Sequence, residues 1–428
     1  MPTQKPNIVQ RRVLFTALEH MLDDPVVLLE GPRSVGKSTL LREIASKRGG
    51  RILDLDDMAT LDAVRADPAT LIAGGDLVCI DEYQKAPIVL EAIKSELNKD
   101  SRPGRFVLTG SARHESLPAA AQALTGRLDR LSVLPLSQGE IAGIHEDWLE
   151  RFLDNPSDCV TGELSTHNRD DYIDRMLIGG FPMALAASSA SARSRWFANY
   201  VSLTLERDVR VLSAIRHGAL LPEMLGRLAG QSAQVLNIGQ VSMDLGLDPT
   251  TAANYVSLLE HVFILYRLGA WGKTLNSKSG RLPKIHVTDS AVAAHLMRLT
   301  PEKLAKRDAS ALTELGHVLE TFVVGELRKQ ASWLDVNIEL GHWRTHRGDE
   351  VDLVIERGDG SIVAFEVKAA ARVPGEDFRP LQFLRDKLGE AFVGGAVFYL
   401  GERSYKYDDR LFVFPVDQLW TPQQARFR

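Results

Sequence analysis

Cysteine is scarce in this chain, with only Cys79 and Cys159 among 428 residues. Cys79 lies in an apolar run that predicts a buried strand, so neither a disulfide framework nor a cysteine zinc site is expected. A reducing cytosol fits this usage best. No stretch reaches the roughly 20 uninterrupted apolar residues of a membrane span, and the N-terminus contains no apolar signal core. We therefore expect a cytoplasmic protein with no membrane partner.

An excess of charge of one sign is also missing. Lys and Arg number 51 against 56 Asp and Glu, which leaves a formal net charge of −5. The chain therefore has no overall basic footprint for nucleic acid, and any DNA contact would depend on a local patch. We find no internal repeat and no long low-complexity linker. The length exceeds that of a single core and suggests about three units.

A glycine-rich loop follows an apolar strand near the start of the chain. Glycine at positions 31 and 36 would let backbone N–H groups surround phosphates. Lys37 would then reach the β- and γ-phosphates, and Ser38 would bind Mg²⁺. The helix predicted over 38–48 would point the positive end of its dipole at the anion. The predicted nucleoside triphosphate site consists of Gly31, Pro32, Arg33, Ser34, Val35, Gly36, Lys37, Ser38 and Thr39.

A second apolar strand, predicted over 77–82, ends in two carboxylates, Asp81 and Glu82. In phosphoryl transfer, one carboxylate can hold Mg²⁺ through water and another can orient the attacking water. Asp81 is therefore predicted as the metal-side group and Glu82 as the base for hydrolysis. The alternative is a strand that merely ends in a solvated acidic turn.

A third apolar strand, predicted over 105–112, ends in hydroxyl residues. Thr109 or Ser111 would lie beside the γ-phosphate. Helix-period stretches separate the three strands, which is typical of a parallel sheet with ligands at its carboxyl edge. We expect the last strand of this α/β sheet over 131–136.

These motifs, together with Gly126-Arg127 ahead of the final strand, resemble the AAA+ ATPases. Nearly the whole chain resembles prokaryotic AAA+-type ATP-binding proteins with a C-terminal domain related to PD-(D/E)XK nucleases. The resemblance implies ATP and Mg²⁺ as ligands, and no guanine-reading Asn-Lys-x-Asp motif is evident. It also implies a homo-oligomer, with a hexameric ring as one form.

The same resemblance implies an arginine that reaches the nucleotide of a neighbouring subunit. Arg127 or Arg130 stands at the expected place before the last strand, and Arg113 competes with them. Such a group neutralises charge in the transition state. The alternative is that Arg127 caps a helix and Arg130 is solvated.

We divide the chain into an AAA+ P-loop core (1–138), a helical lid (139–235), a winged-helix-like domain (236–300) and a nuclease-like α/β domain (301–428). The winged helix is predicted from helices over 239–245 and 250–259 and strands over 262–268 and 284–288. Its loop would clamp a DNA backbone or simply be solvated, with Trp271 stacking or packing beneath it. The basic residues of this loop are Arg267, Lys273, Lys278, Arg281 and Lys284.

The C-terminal region carries a second chemical signal on two predicted strands joined by a turn. Asp352 is followed by Glu366 and Lys368, and the last two point to one face of their strand. Asp with Glu-x-Lys resembles the PD-(D/E)XK signature, which implies that Asp352 and Glu366 hold Mg²⁺ while Lys368 activates the attacking hydroxide. Glu320 or Glu326 would add a further acidic group.

Two interpretations of the whole chain follow. In the first, an oligomeric ATPase acts on DNA through its winged helix and nuclease-like domain. In the second, an ATP-dependent switch or scaffold uses a non-catalytic nuclease-like domain for protein interaction.

Overall fold

A computed structural model describes residues 9–116, 124–209, 218–272, 282–306, 308–345 and 348–422. No helix in these ranges combines the length and apolar character needed to cross a bilayer. The strands are β1 (Val26–Glu30), β2 (Arg51–Asp54), β3 (Val78–Asp81), β4 (Phe106–Gly110), β5 (Leu128–Ser132), β6 (Gln234–Val235), β7 (Leu265–Leu268), β8 (Lys284–Val287), β9 (Ile338–Arg344), β10 (Glu350–Arg357), β11 (Ile362–Lys368), β12 (Phe392–Tyr399), β13 (Tyr405–Asp408) and β14 (Leu411–Pro415).

Helices are numbered here in chain order over the described residues. They are α1 (Arg12–His20), α2 (Lys37–Arg48), α3 (Met58–Ala66), α4 (Pro68–Ile72), α5 (Val89–Leu97), α6 (Gln138–Ala142), α7 (Trp148–Asp154), α8 (Arg169–Ile178), α9 (Pro182–Leu185), α10 (Ala190–Leu203), α11 (Leu221–Gly230), α12 (Ile238–Leu245), α13 (Pro249–His261), α14 (Ser290–Leu296), α15 (Pro301–Ala305), α16 (Ala309–Ala331) and α17 (Arg379–Leu388).

The N-terminal sheet has five parallel strands in the order β2-β3-β4-β1-β5. Strands β1, β3 and β4 are fully buried because helices cover both faces of the sheet. Along β1, Val27 and Leu29 join the core that contains α1 and α2. Val26 and Leu28 face the opposite core with α5. This arrangement confirms the predicted parallel α/β core.

Two edge strands depart from expectation. Strand β2 was not predicted, because it is short and its residues are exposed or half-buried. The last strand is Leu128–Ser132, and not 131–136 as expected. As an edge strand beside β1 it buries only Leu131 fully, so its pattern is not a continuous apolar run. The apolar residues that follow belong to a buried extension, in which Val133 N donates to Glu30 O at 2.8 Å.

The middle of the chain contains a small antiparallel sheet in the order β6-β8-β7. Helices α12 and α13 lie between β6 and β7 in sequence, and α13 begins at a cap where Asp248 accepts from Thr251 N at 2.9 Å. The order of elements agrees with the one from which a winged helix was predicted. Its assignment as a winged helix stays a prediction.

The C-terminal sheet has six strands in the order β13-β14-β12-β11-β10-β9. Strands β9, β10 and β11 are antiparallel neighbours, and β11, β12 and β14 are parallel. Helix α16 packs on one face through Leu319 and Val323. Helix α17 packs on the other face through Leu381 and Leu384.

Helices from the region predicted as a lid enter two different cores. Trp148 and Phe152 of α7 pack on the C-terminal sheet, where the ring of Trp148 lies 5.0 Å from that of Phe398. By contrast, Phe197 of α10 and Leu225 of α11 pack into the core shared with the N-terminal sheet. The region predicted as a lid therefore contributes helices to the cores of both the N-terminal and the C-terminal sheet.

Candidate functional site

The glycine loop leaves the carboxyl end of β1 and enters α2, as its sequence predicts. Gly36 caps the helix with a φ of 97°, a left-handed conformation that favours glycine. The structural reason for glycine at position 31 differs from the one expected. A Cβ at this position would lie 2.1 Å from the carbonyl oxygen of Val133, so glycine is required for contact with the neighbouring strand extension. Ser34 also adopts a positive φ, of 63°.

Arg11 fastens this loop to the sheet, a role that no local sequence pattern predicts. Its guanidinium donates to the carbonyl oxygen of Val35 at 2.6 Å and to that of Leu134 at 2.7 Å. It also pairs with Glu140 at 3.0 Å. The loop is therefore held by a charged side chain from an earlier part of the chain.

Lys37 lies at the first turn of α2 and is buried. Its Nζ donates to the carbonyl oxygens of Gly31 at 2.8 Å and Pro32 at 2.7 Å. The next two residues differ in exposure, since Ser38 is half-buried and Thr39 is exposed. The free N–H groups of a helix N-terminus favour an anion, so a lysine held over this end suits a phosphate.

The two predicted carboxylates are buried at the carboxyl end of β3, beside the end of β4. The hydroxyl of Thr109 donates to Asp81 and accepts from the backbone N–H of Glu82 at 3.0 Å. Ser111 donates to Glu82 Oε2 at 2.9 Å, and Gln84 donates to the same oxygen. Thr109 and Ser111 thus contact the carboxylates directly. Because β4 lies between β1 and β3, all these groups share the carboxyl edge with the loop.

The three candidate arginines occupy different places. Arg127 comes just before β5, where Leu128 is level with Val26 at the start of β1, and its side chain donates to Asn98 at 2.8 Å. Arg130 lies within β5, not before it as expected, and pairs with Glu115. Arg113 N donates to the carbonyl oxygen of His261 at 2.9 Å.

A second polar cluster is buried in the C-terminal unit. Asp352 on β10 and Glu366 on β11 lie on adjacent antiparallel strands, and Val367 N donates to Asp352 Oδ2 at 2.9 Å. Lys368 pairs with Glu366 at 2.8 Å. The three predicted residues are therefore brought together. Glu320 of α16 reaches the same cluster through the ammonium that it shares with Asp352.

That ammonium belongs to Lys284 of β8, and it contacts three carboxylates. Its Nζ lies 2.6 Å from Glu320, 2.6 Å from Glu350 and 2.8 Å from Asp352. Only 1% of Lys284 is exposed. The expectation that Lys284 belongs to a DNA-clamping basic loop is therefore wrong, because its charge is neutralised inside the protein.

Burial and crowding of like charges shift the acids of this cluster. Burial, with a further contribution from Asp352, raises the pKa of Glu366 to about 8. The same causes hold the pKa of Glu320 well above its usual range. Burial alone would lower the pKa of Lys284, but the neighbouring carboxylates outweigh it and raise that pKa. A cation is therefore needed for the cluster to carry its full negative charge.

The other predicted wing residues divide into two groups. Arg267 forms an ion pair with Glu260 of the same chain, with an N–O distance of 3.0 Å. Trp271 packs beneath the C-terminal unit and donates from Nε1 to Glu356 at 2.7 Å, so it is not a stacking platform. The remaining positions of the basic loop lie outside the described residues, namely Lys273, Lys278 and Arg281.

Glu326 is not part of the carboxylate cluster. Its Oε2 accepts from the backbone N–H of Gln138 at 2.8 Å, and it pairs with Lys329 at 2.6 Å. Lys329 also donates to the carbonyl oxygen of Leu136 at 3.1 Å. Helix α16 therefore contacts the N-terminal unit through Glu326 and the carboxylate cluster through Glu320.

Glu146 lies near the contact between α16 and the N-terminal unit, and it should make the stability of the folded protein depend on pH. Burial first, and then the charge of Glu326, raise its pKa to about 7. Because this acid binds its proton more tightly when folded, its contribution is fully present below its ordinary pKa and is lost as pH rises to about 7. Glu146→Gln should therefore raise the melting temperature above pH 7 and change it little at pH 4.5. Above pH 7, the free energy of unfolding of Glu146→Gln should exceed that of the wild type by at most about 3 kcal/mol.

Thermal unfolding from pH 4.5 to 8 would measure this effect. Gln retains the acceptor that Glu146 Oε1 presents to Gly139 N at 2.8 Å. Glu150→Gln, at an exposed position nearby, is the matched control and should follow the wild type. Parallel pH profiles for Glu146→Gln and the wild type would contradict the prediction.

Comparison with known proteins agrees with the geometry of the N-terminal unit. Residues 23–142 match a family model described as an AAA domain. Residues 169–303 and 315–419 match two models described as domains of unknown function (DUF8612 and DUF4143). Residues 23–142 are therefore similar to a P-loop ATPase domain of the AAA type, and this similarity supports ATP binding and hydrolysis.

Two curated proteins are similar over almost the full chain. These are the uncharacterized proteins Rv2008c of Mycobacterium tuberculosis and Mb2031c of Mycobacterium bovis, each 26% identical over 97% of this chain and 85% of theirs. Among solved structures, the Walker-type ATPase PABY2304 of Pyrococcus abyssi is 15% identical, with a TM-score of 0.43 over 69% of this chain and 97% of its own. AMPPCP-bound DnaA of Aquifex aeolicus is 14% identical, with a TM-score of 0.29. The match covers 61% of this chain and 89% of the DnaA chain.

Proposed function

We propose that the N-terminal unit hydrolyses ATP in a Mg²⁺-dependent reaction at the carboxyl edge of its sheet. The observation that carries this proposal is the shared edge of the sheet, where buried Lys37 begins α2 and buried Asp81 and Glu82 lie at the end of β3. The loop of residues 31–36 would surround the phosphates, with Ser38 and Asp81 on the metal side. Bound Mg²⁺ would neutralise charge that develops on the phosphates.

The protein's own side chains account for the remaining roles. Lys37 would exchange its two carbonyl partners for phosphate oxygens. Glu82, held by Ser111, would accept a proton from the attacking water. Thr109 fixes the direction of Asp81 while it supports the backbone of Glu82. This division separates metal binding from proton transfer, as phosphoryl transfer requires.

We further propose that hydrolysis requires a homo-oligomer in which Arg127 acts on a neighbouring subunit. The strand register supports this idea. Arg127 precedes the residue level with Val26, whereas the phosphate loop begins after Glu30. The five residues of β1 lie between these levels, which are therefore six residues, or about 20 Å, apart. Arg127 is therefore too far along the sheet to serve its own phosphate site, and any catalytic contact would reach another subunit.

The Arg127→Ala variant should lose ATPase activity by about 1000-fold while it still binds ATP and assembles. ATPase rate against protein concentration, with mass photometry of the same samples, would test this. Mixing Arg127→Ala with Lys37→Ala subunits should restore part of the activity, because each supplies what the other lacks. Arg195→Ala, an exposed substitution on α10, is the control. A concentration-independent rate unaffected by Arg127→Ala would instead indicate a self-contained nucleotide switch.

For the C-terminal unit, we propose metal-dependent action on DNA by Asp352, Glu366 and Lys368. The proximity of the three residues and the burial of the two carboxylates support this role. A second candidate is an ATP-dependent scaffold in which the cluster is structural and the domain binds protein. The ion pairs of Lys284 favour this second candidate, because an ammonium already satisfies the carboxylates.

A further inference from the structure

Lys284 stands where a cation would stand in the C-terminal cluster. Its Nζ lies within 2.6 to 2.8 Å of oxygens from Glu320, Glu350 and Asp352. These oxygens come from a helix and a strand that converge on one point, an arrangement that would equally suit a hard divalent ion with oxygen ligands. An ammonium and a divalent ion cannot occupy the same point.

Glu366 shows that the ammonium does not complete the cluster. Glu366 is 6% exposed. Its Oε1 accepts from Lys368 at 2.8 Å, while its buried Oε2 has no hydrogen-bond partner within the described part of the chain. A buried carboxylate oxygen without a partner is costly. The cluster thus retains an unused ligand atom.

The blocking lysine comes from a different unit of the chain. Lys284 begins β8 of the small middle sheet, whereas Asp352 and Glu366 belong to the C-terminal sheet. Two described residues ahead of it in the chain, Trp271 and Leu282, each contact His342 of the C-terminal sheet. Trp271 N donates to His342 O at 2.7 Å, and His342 Nε2 contacts the carbonyl oxygen of Leu282 at 3.1 Å.

We propose that Lys284 is a latch that excludes divalent metal from the Asp352–Glu366 cluster, and that the cluster accepts metal once this ammonium is withdrawn. The inference rests on the proposed metal-dependent role of these carboxylates. It adds that the described conformation is the closed state of that site. Replacing the lysine by a neutral side chain of similar length removes the competing charge without filling the ligand position.

Lys284→Met should bind Mn²⁺ more tightly than the wild type, by roughly tenfold or more, because the intact site must first expel a buried, three-fold paired ammonium. Isothermal titration calorimetry with Mn²⁺ alone, in the absence of nucleotide, would measure this. Mn²⁺ should also raise the melting temperature of Lys284→Met more than that of the wild type. Adding Asp352→Asn to the variant should remove both gains. ATPase activity should be unchanged.

Two further variants make the result decisive. Lys303→Met, which removes a lysine paired with Glu314 at 2.9 Å elsewhere, should bind Mn²⁺ like the wild type. Lys284→Gln removes the ammonium but keeps a polar side chain, leaves all three carboxylates in place, and should also bind Mn²⁺ more tightly. If Lys284→Met fails to fold without metal, Lys284→Gln decides. Wild-type Mn²⁺ affinity in both variants would overturn the latch.

DNA cleavage separates the latch from the proposed function. Plasmid and single-stranded DNA would be incubated with Lys284→Met and Mn²⁺. Cleavage that Asp352→Asn abolishes would support both proposals. Tighter Mn²⁺ binding without any cleavage would support the latch and contradict the nuclease role, leaving the scaffold candidate.

Discussion

Lys37→Ala is expected to lose ATP binding. Lys37 is the one buried ammonium that the described structure holds over the loop of residues 31–36, where its Nζ contacts two loop carbonyls. Removing a buried charged partner of this kind costs about 3 kcal/mol or more, which corresponds to roughly a 100-fold loss of affinity. Calorimetric titration with ATP and Mg²⁺ would measure the change.

Lys47→Ala provides the matched control on the same helix. Lys47 is exposed near the end of α2 and lies 3.8 Å from Glu43 in a surface pair, so its removal should leave ATP affinity unaltered. Circular dichroism would establish that both variants are folded. If Lys37→Ala bound ATP like the wild type, the interpretation of residues 31–38 as a phosphate loop would be wrong.

Glu82→Gln should separate binding from turnover. Gln has the shape of Glu and can accept from Ser111 and Gln84 with its amide oxygen, so the left-handed turn at position 82, with a φ of 55°, should persist. Without a carboxylate to accept a proton, the ATPase rate should fall about 100- to 1000-fold. ATP affinity should stay within about twofold of the wild type, because neutral Gln keeps the same contacts.

Single-turnover and steady-state ATPase rates would test this prediction. Glu91→Gln, on the exposed face of α5, is the control and should hydrolyse ATP normally. Normal turnover by Glu82→Gln would place the base elsewhere. Glu30 would then be the next residue to test, because it is buried at the same edge and burial raises its pKa.

The phosphate loop and its carboxylates could be predicted from sequence because each is encoded locally. An apolar strand followed by glycine and lysine, or by Asp81 and Glu82, needs no distant partner to be recognised. The edge strands were harder, since β2 and β5 lack a continuous apolar run. Gly31 illustrates a subtler limit, because the carbonyl that excludes its Cβ belongs to Val133, far along the chain.

The C-terminal cluster could be predicted only in part. Asp352, Glu366 and Lys368 are a recognisable pattern on two strands. Sequence left open whether Glu320 or Glu326 joins them, although six helical residues place those side chains about 120° apart, on different faces. The packing of α16 places Glu320 in the cluster and directs Glu326 to the backbone of Gln138.

Lys284 was assigned to the wrong environment for a physical reason. A lysine among basic neighbours in sequence is ordinarily solvated, and its carboxylate partners lie 36 to 68 residues away. No local periodicity encodes such a contact. The structural signal is burial, because an ammonium that is nearly inaccessible must be paired.

The aromatic contact between α7 and the C-terminal sheet has a consequence for biosynthesis. Trp148 and Phe152 leave the ribosome long before Phe365, Phe398 and Phe414, the rings against which they pack. At usual rates of elongation the delay is about 10 to 50 s. During that interval the two stacked aromatic side chains lack their partners in the C-terminal sheet, so the nascent chain must be protected from aggregation until the sheet arrives.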